Sequence, residues 1–360
     1  MTAEEGGTIR VGVVGASGLA GGELIRLIGQ HPNLRLTFLG GCRNVGRRPS
    51  ELHPGLRRDL GLVVEAVDAG SVGERCDVVF LATPAPVSAE LAAMLVDRVP
   101  CLIDLSGAFR IRSAALHERW YPDVKRPADL VDRFVYGVPE LVGKDMHGAA
   151  LISLPGCYAT AVALAIAPLV FGLGLALGTV LVDGKSGSSG GGLRLRTADL
   201  HPFRSGAIAP YAPVGHRHAA EVKDFLERSR PGAIGTLTMS AYGVSNVRGL
   251  LASCYVLSDS QELDERMLFR AYLRFYKGHQ FVRVRRHNET AIPMPDPQAT
   301  LGSNFCDVTV MHDPDGGRVV ALAALDNMVK GAAGQAIQAV NKRFSLAEET
   351  GLTMQPVMPA

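Results

Sequence analysis

One cysteine, Cys157, follows Pro155 and Gly156 and precedes a continuous apolar run. The proline and glycine end the preceding strand, and residues 161–170 predict a buried helix. A thiol in the first turn of a helix faces unpaired backbone N–H groups and the positive end of the helix dipole, which favour the thiolate. Cys157 is therefore a candidate nucleophile that forms a thioester or thiohemiacetal. The alternative is a small structural residue, because free cysteines are usually buried and unreactive.

Two histidines flank an arginine in Gly215-His216-Arg217-His218, directly before a run with helical spacing. Either His216 or His218 can act as general acid and base toward the thiol and the substrate oxygen, and the sequence favours His216 only slightly. The other histidine is expected to be a cap or structural residue. Arg217 is a candidate for holding a carboxylate or phosphate. No CxxC pair or further Cys/His cluster accompanies these residues, so no metal site is predicted.

A glycine- and serine-rich stretch, residues 184–192, follows a predicted buried strand. Small residues let the backbone wrap an anion, and Lys185 and Ser186 add donors, so the stretch suits a phosphate or acyl-phosphate group. A flexible linker is the alternative. Arg110, which follows the predicted strand 101–105, is a further candidate for binding a substrate anion.

The start of the chain has the pattern of a dinucleotide-binding unit. Residues 9–14 are of strand type, residues 15–21 contain three glycines spaced as GxxGxxG, and residues 23–28 have helical spacing. In a Rossmann unit such glycines let the backbone approach a pyrophosphate, and the helix N-terminus supplies N–H donors. Many glycine-rich turns bind no ligand, so the prediction of dinucleotide binding depends also on the position of the motif directly after the first strand.

The next predicted strand, residues 34–39, is followed by Gly40-Gly41-Cys42-Arg43-Asn44. An acidic residue here would bind the ribose 2′-hydroxyl of NAD, whereas Arg43 suits the 2′-phosphate of NADP. The predicted cofactor is therefore NADP(H), and a solvated loop cation is the alternative for Arg43.

The composition is that of a globular chain long enough for two domains: 360 residues, 47% hydrophobic, 20% charged and a formal net charge of +2. This charge implies no strong attraction to nucleic acid or to a membrane. Scattered cysteines and a polar start without an apolar signal region favour a reducing, cytoplasmic location. The uncharged stretch 159–182 is predicted to be a helix, a turn and a buried strand, because Pro168 and three glycines interrupt it.

Alternating strand and helix patterns through residue 156 predict a mostly parallel sheet. The later patterns predict a helix-backed, mainly antiparallel sheet with strands at 247–256, 306–311 and 318–325. The expected fold is α/β: a Rossmann-type domain from residues 1–156 and 327–360, and an α+β catalytic domain at 157–326. Small residues in 326–337 predict a helix that packs back on the nucleotide-binding domain, with Asn327 near the nicotinamide.

Taken together, these motifs resemble the N-acetyl-γ-glutamyl-phosphate reductases of arginine biosynthesis. The resemblance includes their relatives in lysine biosynthesis, which act on aminoadipyl phosphate attached to a small acidic carrier protein. The resemblance covers nearly the whole chain. The motifs that carry it are residues 15–21, Tyr136-Gly137-Val138-Pro139-Glu140, Pro155-Gly156-Cys157, Lys185-Ser186-Gly187, Gly215-His216-Arg217-His218 and residues 326–335.

The resemblance implies a catalytic domain like that of glyceraldehyde-3-phosphate dehydrogenase, NADPH as cofactor and a homo-oligomer (dimer or tetramer). It implies NADPH-dependent reduction of N-acetyl-γ-glutamyl phosphate to N-acetylglutamate 5-semialdehyde and phosphate through a Cys157 thioester. The implied cofactor contacts, beside Gly15 of the glycine-rich turn, are Ser17, Gly18, Leu19, Ala20, Cys42, Arg43, Asn44 and Asn327.

Two alternatives to this activity stay open. One is the carrier-linked reaction on aminoadipyl or glutamyl phosphate, which Ala159, residues 200–204 and residues 293–297 favour, whereas Tyr158 and the Lys185-Ser186-Gly187 motif favour the arginine branch. The other is a catalytically silent NADP-binding sensor, since a fold alone does not give function.

A run of arginines bears on the first alternative. Arg194, Arg196 and Arg204 suit an acidic carrier protein, because opposite charge accelerates encounter. Three solvated arginines are the competing interpretation.

Overall fold

The structure is a computed structural model that describes residues 7–56, 60–193, 197–257, 263–286 and 293–357. The chain forms two compact units. One consists of Met1–Gly156 with Ala332–Thr353, and the other of Cys157–Gly331 with Met354–Ala360. The chain returns to the first unit at Ala332 and not at residue 327, so Asn327 belongs to the second unit.

The first unit is built on a parallel sheet. Its elements are β1 (Ile9–Val14), α1 (Leu19–Ile28), β2 (Leu34–Gly40), α2 (Pro49–Leu52), α3 (Ala69–Arg75), β3 (Val78–Leu81), α4 (Ala85–Leu95), β4 (Cys101–Asp104), α5 (Ala114–Trp120), α6 (Ala128–Val131), β5 (Val135–Tyr136), α7 (Pro139–Val142) and β6 (Leu151–Ser153).

The six strands of this sheet have the order β2-β1-β3-β4-β6-β5, and every neighbouring pair is parallel. Strands β3 and β4 are buried along their whole length, as expected for strands covered on both faces. The strand order reverses beside β1. In such sheets ligands bind at the carboxyl ends of the strands next to this reversal, which is where the glycine-rich turn 15–21 lies.

The second unit is built on a mixed sheet backed by helices. Its elements are α8 (Cys157–Ala167), β7 (Leu177–Ser186), α9 (His201–Arg204), β8 (Ile208–Ala212), α10 (Arg217–Ser229), β9 (Ile234–Val244), β10 (Leu250–Leu257), α11 (Glu265–Phe275), β11 (Val282–Val284), β12 (Cys306–Asp313) and β13 (Arg318–Leu325). Short 3₁₀ or π segments occur at Pro168–Gly172, Ser188–Gly191, Thr197–Asp199, Pro297–Thr300 and Val329–Ala333.

The sheet of the second unit has the order β11-β12-β13-β10-β7-β9-β8. Four of its neighbouring pairs are antiparallel, which confirms the predicted type of sheet. The pairs β11–β12 and β7–β9 are parallel instead. Every α8 residue after Cys157 is buried, and α8 packs on the central strands β10 and β13.

Two predicted boundaries were wrong. Strand β7 runs to Ser186, so the glycine-rich loop begins at Gly187 and not at residue 184. Strand β10 begins at Leu250 and not at 247, because Gly249 has a φ of +102° and turns the chain. The uncharged stretch does divide into a helix, a turn and a strand. Among the described residues, no helix is both long and apolar enough to cross a lipid bilayer.

The last helix, α12 (Gly334–Arg343), belongs to the first unit. Its buried polar side chains reach earlier elements of that unit. Gln335 Nε2 donates to the Gly137 carbonyl over 3.2 Å, and Asn341 Oδ1 lies 3.0 Å from His31 Nε2, beyond the end of α1. The first unit is therefore completed by a segment from the far end of the chain.

Candidate active site

The predicted nucleophile stands at the start of a helix. Cys157 is the first residue of α8 and is half-buried, whereas the remaining α8 residues are buried. The prediction that the cysteine lies in the first helical turn is confirmed. At this position the sulfur lies beside the backbone N–H groups of the first helical turn and the positive end of the helix dipole.

The two predicted histidines lie together at the start of α10. His216 is the N-cap, and its Nδ1 accepts a hydrogen bond from the backbone N–H of His218 over 3.2 Å. The two rings are 4.7 Å apart in an edge-to-face arrangement. Burial and the positive charge of Arg217 lower the pKa of His216 to about 4. His216 is therefore neutral at pH 7, with its proton on Nε2, because Nδ1 is an acceptor.

Tyr158 links the nucleophile to the histidines. It follows Cys157 in α8, and its ring lies 5.6 Å from the His216 ring and 6.1 Å from the His218 ring. Its hydroxyl donates to the carbonyl of Tyr242 over 3.3 Å. Burial raises the pKa of Tyr158, so the phenol stays protonated. This packing places the start of α8 beside the start of α10.

Tyr211 is part of this cluster, although nothing in its sequence context indicates a role. It lies on the edge strand β8, and its ring is 6.0 Å from the His216 ring. Tyr211 also interacts electrostatically with Tyr158. Its position depends on the pairing of β8 with β9, which joins residues far apart in sequence and leaves no local pattern.

The predicted anion-binding residues lie at the end of β7. Lys185 is an ion-pair partner of Asp183, with Nζ and Oδ2 2.7 Å apart, and its side chain is 34% exposed. Ser186 is buried, and its carbonyl accepts a hydrogen bond from Arg204 over 3.1 Å. Arg217 is exposed in the first turn of α10. Among the described residues of this unit, Lys185 and Arg217 are both accessible to solvent.

Asn327 is buried and held by the loops of its own unit. Its Oδ1 accepts from the Gly249 N–H over 2.7 Å, and its Nδ2 donates to Ser189 Oγ over 2.9 Å. Ser189 lies in the glycine-rich loop, and its N–H donates to the Val247 carbonyl. Asn327 therefore fixes the loop at 187–192 against the turn at 246–249.

The predicted cofactor contacts of the first unit come together at the end of β1 and β2. Gly15 has a φ of +91°, and its N–H donates to the Gly40 carbonyl over 2.8 Å. A Cβ on Gly21 would lie 2.3 Å from the Gly15 oxygen, so only glycine permits this close turn. The turn holds Ser17, Gly18, Leu19 and Ala20, and Cys42, Arg43 and Asn44 follow β2 as exposed residues. These features fit the phosphate and ribose groups of a dinucleotide.

Arg110, predicted to hold a substrate anion, is a buried residue of the first unit. Its side chain is 7% exposed, and its guanidinium donates to the carbonyls of Leu154 over 2.7 Å and Leu105 over 2.6 Å. Arg110 thus joins the segments that follow β4 and β6 in the first unit. Arg194 and Arg196 lie outside the described residues.

A metal site is absent from the part of the chain that the structure describes: no three His, Cys, Asp or Glu side chains are grouped as metal ligands would be. The phenols of Tyr158 and Tyr211 both interact electrostatically with Cys157.

Comparisons with known proteins identify the family of this chain. Residues 10–149 match the family described as "Semialdehyde dehydrogenase, NAD binding domain", and residues 157–327 match "Semialdehyde dehydrogenase, dimerisation domain". The chain is 38% identical over 352 residues to a [LysW]-L-2-aminoadipate/[LysW]-L-glutamate phosphate reductase of Sulfolobus acidocaldarius, which covers 98% of this chain and 100% of that protein. It is 33% identical over 350 residues to the N-acetyl-gamma-glutamyl-phosphate reductase of Synechocystis, with coverage of 97% and 98%.

Solved structures show the same fold at lower identity. Aspartate semialdehyde dehydrogenase II of Vibrio cholerae, complexed with ASA, has a TM-score of 0.69 at 15% identity and covers 94% of this chain and 98% of its own. Aspartate semialdehyde dehydrogenase of Candida albicans, with NADP, also has a TM-score of 0.69 at 15% identity, with coverage of 93% and 98%.

Proposed function

Since the chain belongs to the semialdehyde dehydrogenase family, we propose that it reduces an acyl phosphate of a dicarboxylic amino acid to the semialdehyde and releases phosphate. The single observation that carries this proposal is the cluster in the second unit. Cys157 opens α8, and Tyr158 joins it to the histidine pair of α10. A nucleophile beside proton donors and accessible cations is what acyl transfer from a phosphate requires.

The first chemical step uses the thiolate of Cys157. Its sulfur attacks the acyl carbon, so that a carbon–sulfur bond forms and the carbon–oxygen bond to phosphate breaks. The products are a thioester and inorganic phosphate. Lys185 and Arg217 hold the anionic groups of the substrate, since both are accessible in the same unit.

The two histidines have different roles in the remaining steps of the reaction. Neutral His216 presents its Nε2–H as a donor, because its Nδ1 accepts from the His218 N–H, and it stabilises the oxyanion at the acyl carbon. His218 is then the group that exchanges a proton with the substrate oxygen. NADPH, when bound, supplies the hydride that brings the thioester to the oxidation level of an aldehyde. The carbon–sulfur bond then breaks as the carbonyl reforms.

NADPH is the cofactor that the residues of the first unit suit best. The turn at 15–20 offers backbone N–H groups to a pyrophosphate, and Arg43 is exposed after β2, where a 2′-phosphate would lie. The NAD binding domain match and the NADP-containing relative support this assignment.

A carrier-linked aminoadipyl or glutamyl phosphate is the first candidate substrate. The relatives from Sulfolobus acidocaldarius and Nitrosopumilus maritimus, 38% and 36% identical, are both named for it, the second as putative. The segment 200–204 presents exposed Leu200 and Phe203, and Arg204 ties it to the end of β7 beside Lys185. A carrier bound there would lie next to the residues proposed to hold the acyl phosphate. Free N-acetyl-γ-glutamyl phosphate is the second candidate, supported by the Synechocystis relative.

The assay that tests this function is the reverse reaction, phosphate-dependent reduction of NADP⁺ by the purified protein. Free N-acetylglutamate semialdehyde and a carrier-linked aminoadipate semialdehyde are offered separately. Turnover of the carrier-linked compound alone supports the first candidate, and turnover of the free compound supports the second. Turnover that does not depend on phosphate would contradict the proposed acyl-phosphate chemistry.

A homodimer is the proposed assembly, because residues 157–327 match a family named for dimerisation. Light scattering on the purified protein gives its mass directly. A mass equal to that of one chain would contradict this part of the proposal.

A further inference from the structure

His53 contacts the glycine-rich turn from outside the motif. It directly follows α2, and its Nε2 lies 2.8 Å from the carbonyl oxygen of Ala16. A carbonyl oxygen only accepts hydrogen bonds, so Nε2 carries the proton and donates. The imidazole also lies against α1: a Cβ on Gly22 would be 2.6 Å from both Cε1 and Nδ1 of His53. The absence of a side chain at Gly22 thus makes room for this ring.

The segment between β2 and His53 carries the predicted ribose-phosphate contacts. Asn44 has a φ of +64°, a left-handed conformation that asparagine tolerates. The Gly46 N–H donates to the Val64 carbonyl over 2.8 Å, and Arg47 forms an ion pair with Glu51 in α2. These contacts make residues 42–52 an ordered link between β2 and His53.

The hydrogen bond from His53 to Ala16 therefore closes a loop of chain in the first unit. The chain leaves β2 beside the glycine-rich turn, where the Gly15 N–H donates to the Gly40 carbonyl. It continues through Arg43 and α2, and His53 brings it back to Ala16 in the same turn. The two predicted parts of the cofactor site, the pyrophosphate turn and the 2′-phosphate segment, are fixed to each other at both ends.

We propose that His53 is a positioning residue that couples these two parts, so that NADPH binding and its discrimination from NADH depend on the His53–Ala16 hydrogen bond. This inference rests on the proposed NADPH-dependent function. His53 itself need not touch the cofactor, because it acts through the backbone of the turn. Removal of the His53 imidazole loosens the segment that carries Arg43. It therefore weakens the binding of NADPH, whose 2′-phosphate uses this segment, more than the binding of NADH, which lacks that phosphate.

The test measures the Kd of NADPH and of NADH by fluorescence titration for the wild type, His53→Ala and His53→Gln. Losing one net hydrogen bond predicts a roughly 5- to 10-fold higher Kd for NADPH in His53→Ala, and about 2-fold for NADH. The glutamine amide places an N–H donor near the position of Nε2, so His53→Gln should restore most of the NADPH affinity. His147→Ala, at an exposed histidine of the same unit, is the matched control and should leave both Kd values unchanged.

A double-mutant cycle with Arg43→Ala distinguishes coupling from general loosening. If His53 positions the Arg43 segment, Arg43→Ala should cost less NADPH affinity in the His53→Ala background than in the wild type. Additive effects, or equal losses for NADPH and NADH, would overturn the inference. Should His53→Ala not fold, Gly22→Ala displaces the same imidazole and should show the same NADPH-selective loss of affinity.

The wild-type protein separates failure of this inference from failure of the proposed function. A wild-type protein that binds no NADPH would overturn both. Normal NADPH binding by the wild type, with the same Kd in His53→Ala, would overturn this inference alone.

Discussion

Gly331 lies directly against the nucleophile: a Cβ built on Gly331 would be 2.7 Å from the Cβ of Cys157 and 3.2 Å from its Cα. Both residues belong to the second unit. The sequence explains the small residues around 331 as a surface for packing a helix on the nucleotide-binding domain. In the structure, Gly331 is constrained for a different reason: any side chain at this position would displace the start of α8.

Replacing Gly331 by alanine should therefore lower kcat without changing NADPH binding. A displacement of the thiol of the order of 1 Å costs up to about 100-fold in rate. The measurement is steady-state kcat beside NADPH Kd. Gly178→Ala is the control, since a Cβ at Gly178 meets nothing within 4 Å. Wild-type kcat in Gly331→Ala would show that α8 can adapt to the added methyl group.

Cys157→Ser should lower kcat by more than about 1,000-fold, because a serine hydroxyl at this site lacks the nucleophilicity of a thiolate. The Kd of NADPH should stay near that of the wild type. Loss of one iodoacetamide-reactive thiol in the variant, quantified by mass spectrometry, checks that Cys157 is the reactive cysteine. Retained turnover would rule out the covalent mechanism.

His216→Ala should lower kcat by about 100-fold with little change in KM, as expected for the loss of an oxyanion donor. Because the pKa of His216 is about 4, this residue does not titrate between pH 5 and 8. The pH profile of kcat should consequently keep its wild-type shape in this range. If an inflection near pH 6.5 disappears in His216→Ala, then His216 titrates in the active enzyme and the assigned roles are reversed.

Ser189→Ala should reproduce part of the effect of Asn327→Ala on kcat/KM, since Asn327 Nδ2 donates to Ser189 Oγ. The double variant should then be less impaired than the product of the two single effects predicts. Multiplicative effects would indicate instead that Asn327 acts on the cofactor independently of the glycine-rich loop.

A buried histidine in the first unit makes stability dependent on pH. Burial, followed by the charge of Arg126, lowers the pKa of His117 to about 4, and its side chain is 5% exposed. The unfolded chain protonates this group near pH 6.5, so protons favour unfolding as the pH falls from 6.5 toward 4. The free energy of unfolding should drop by up to about 3 kcal/mol from this group over that range.

Urea unfolding at pH 7 and pH 4.5 measures this dependence. The difference between the two pH values should be smaller in His117→Gln than in the wild type, and unchanged in His147→Gln, which replaces an exposed histidine. An equal pH dependence in all three proteins would show that His117 does not bind a proton on unfolding.

The parts of the site that the sequence predicts are those made by consecutive residues. The turn from Gly15 to Gly21 and the helix start at Cys157 each depend on one strand, one turn and one helix. Tyr211 and Lys185 could not be placed in this way. Tyr211 meets His216 only because β8 pairs with β9, and the ion pair of Lys185 with Asp183 requires β7 to extend through both residues.

Buried polar groups are the second class of features that the pattern hides. Arg110 and Asn327 have the residue types of ligand-binding groups, and the sequence assigns them to substrate and cofactor. In the structure both are buried and bonded to the backbone of their own unit, Arg110 to carbonyls and Asn327 to the Gly249 N–H. Whether such a polar side chain bonds to the backbone or to a ligand depends on the tertiary structure around it, which a sequence pattern does not reveal.

The position of α12 determines the order in which the two units can be completed during synthesis. The ribosome delivers the sheet of the first unit early, but the helix that bonds to Gly137 and His31 emerges only after all strands and α-helices of the second unit. Domains tend to fold as they are made. For this chain every strand and α-helix of the second unit is therefore synthesised before the last helix of the first unit, although the first unit is begun earlier.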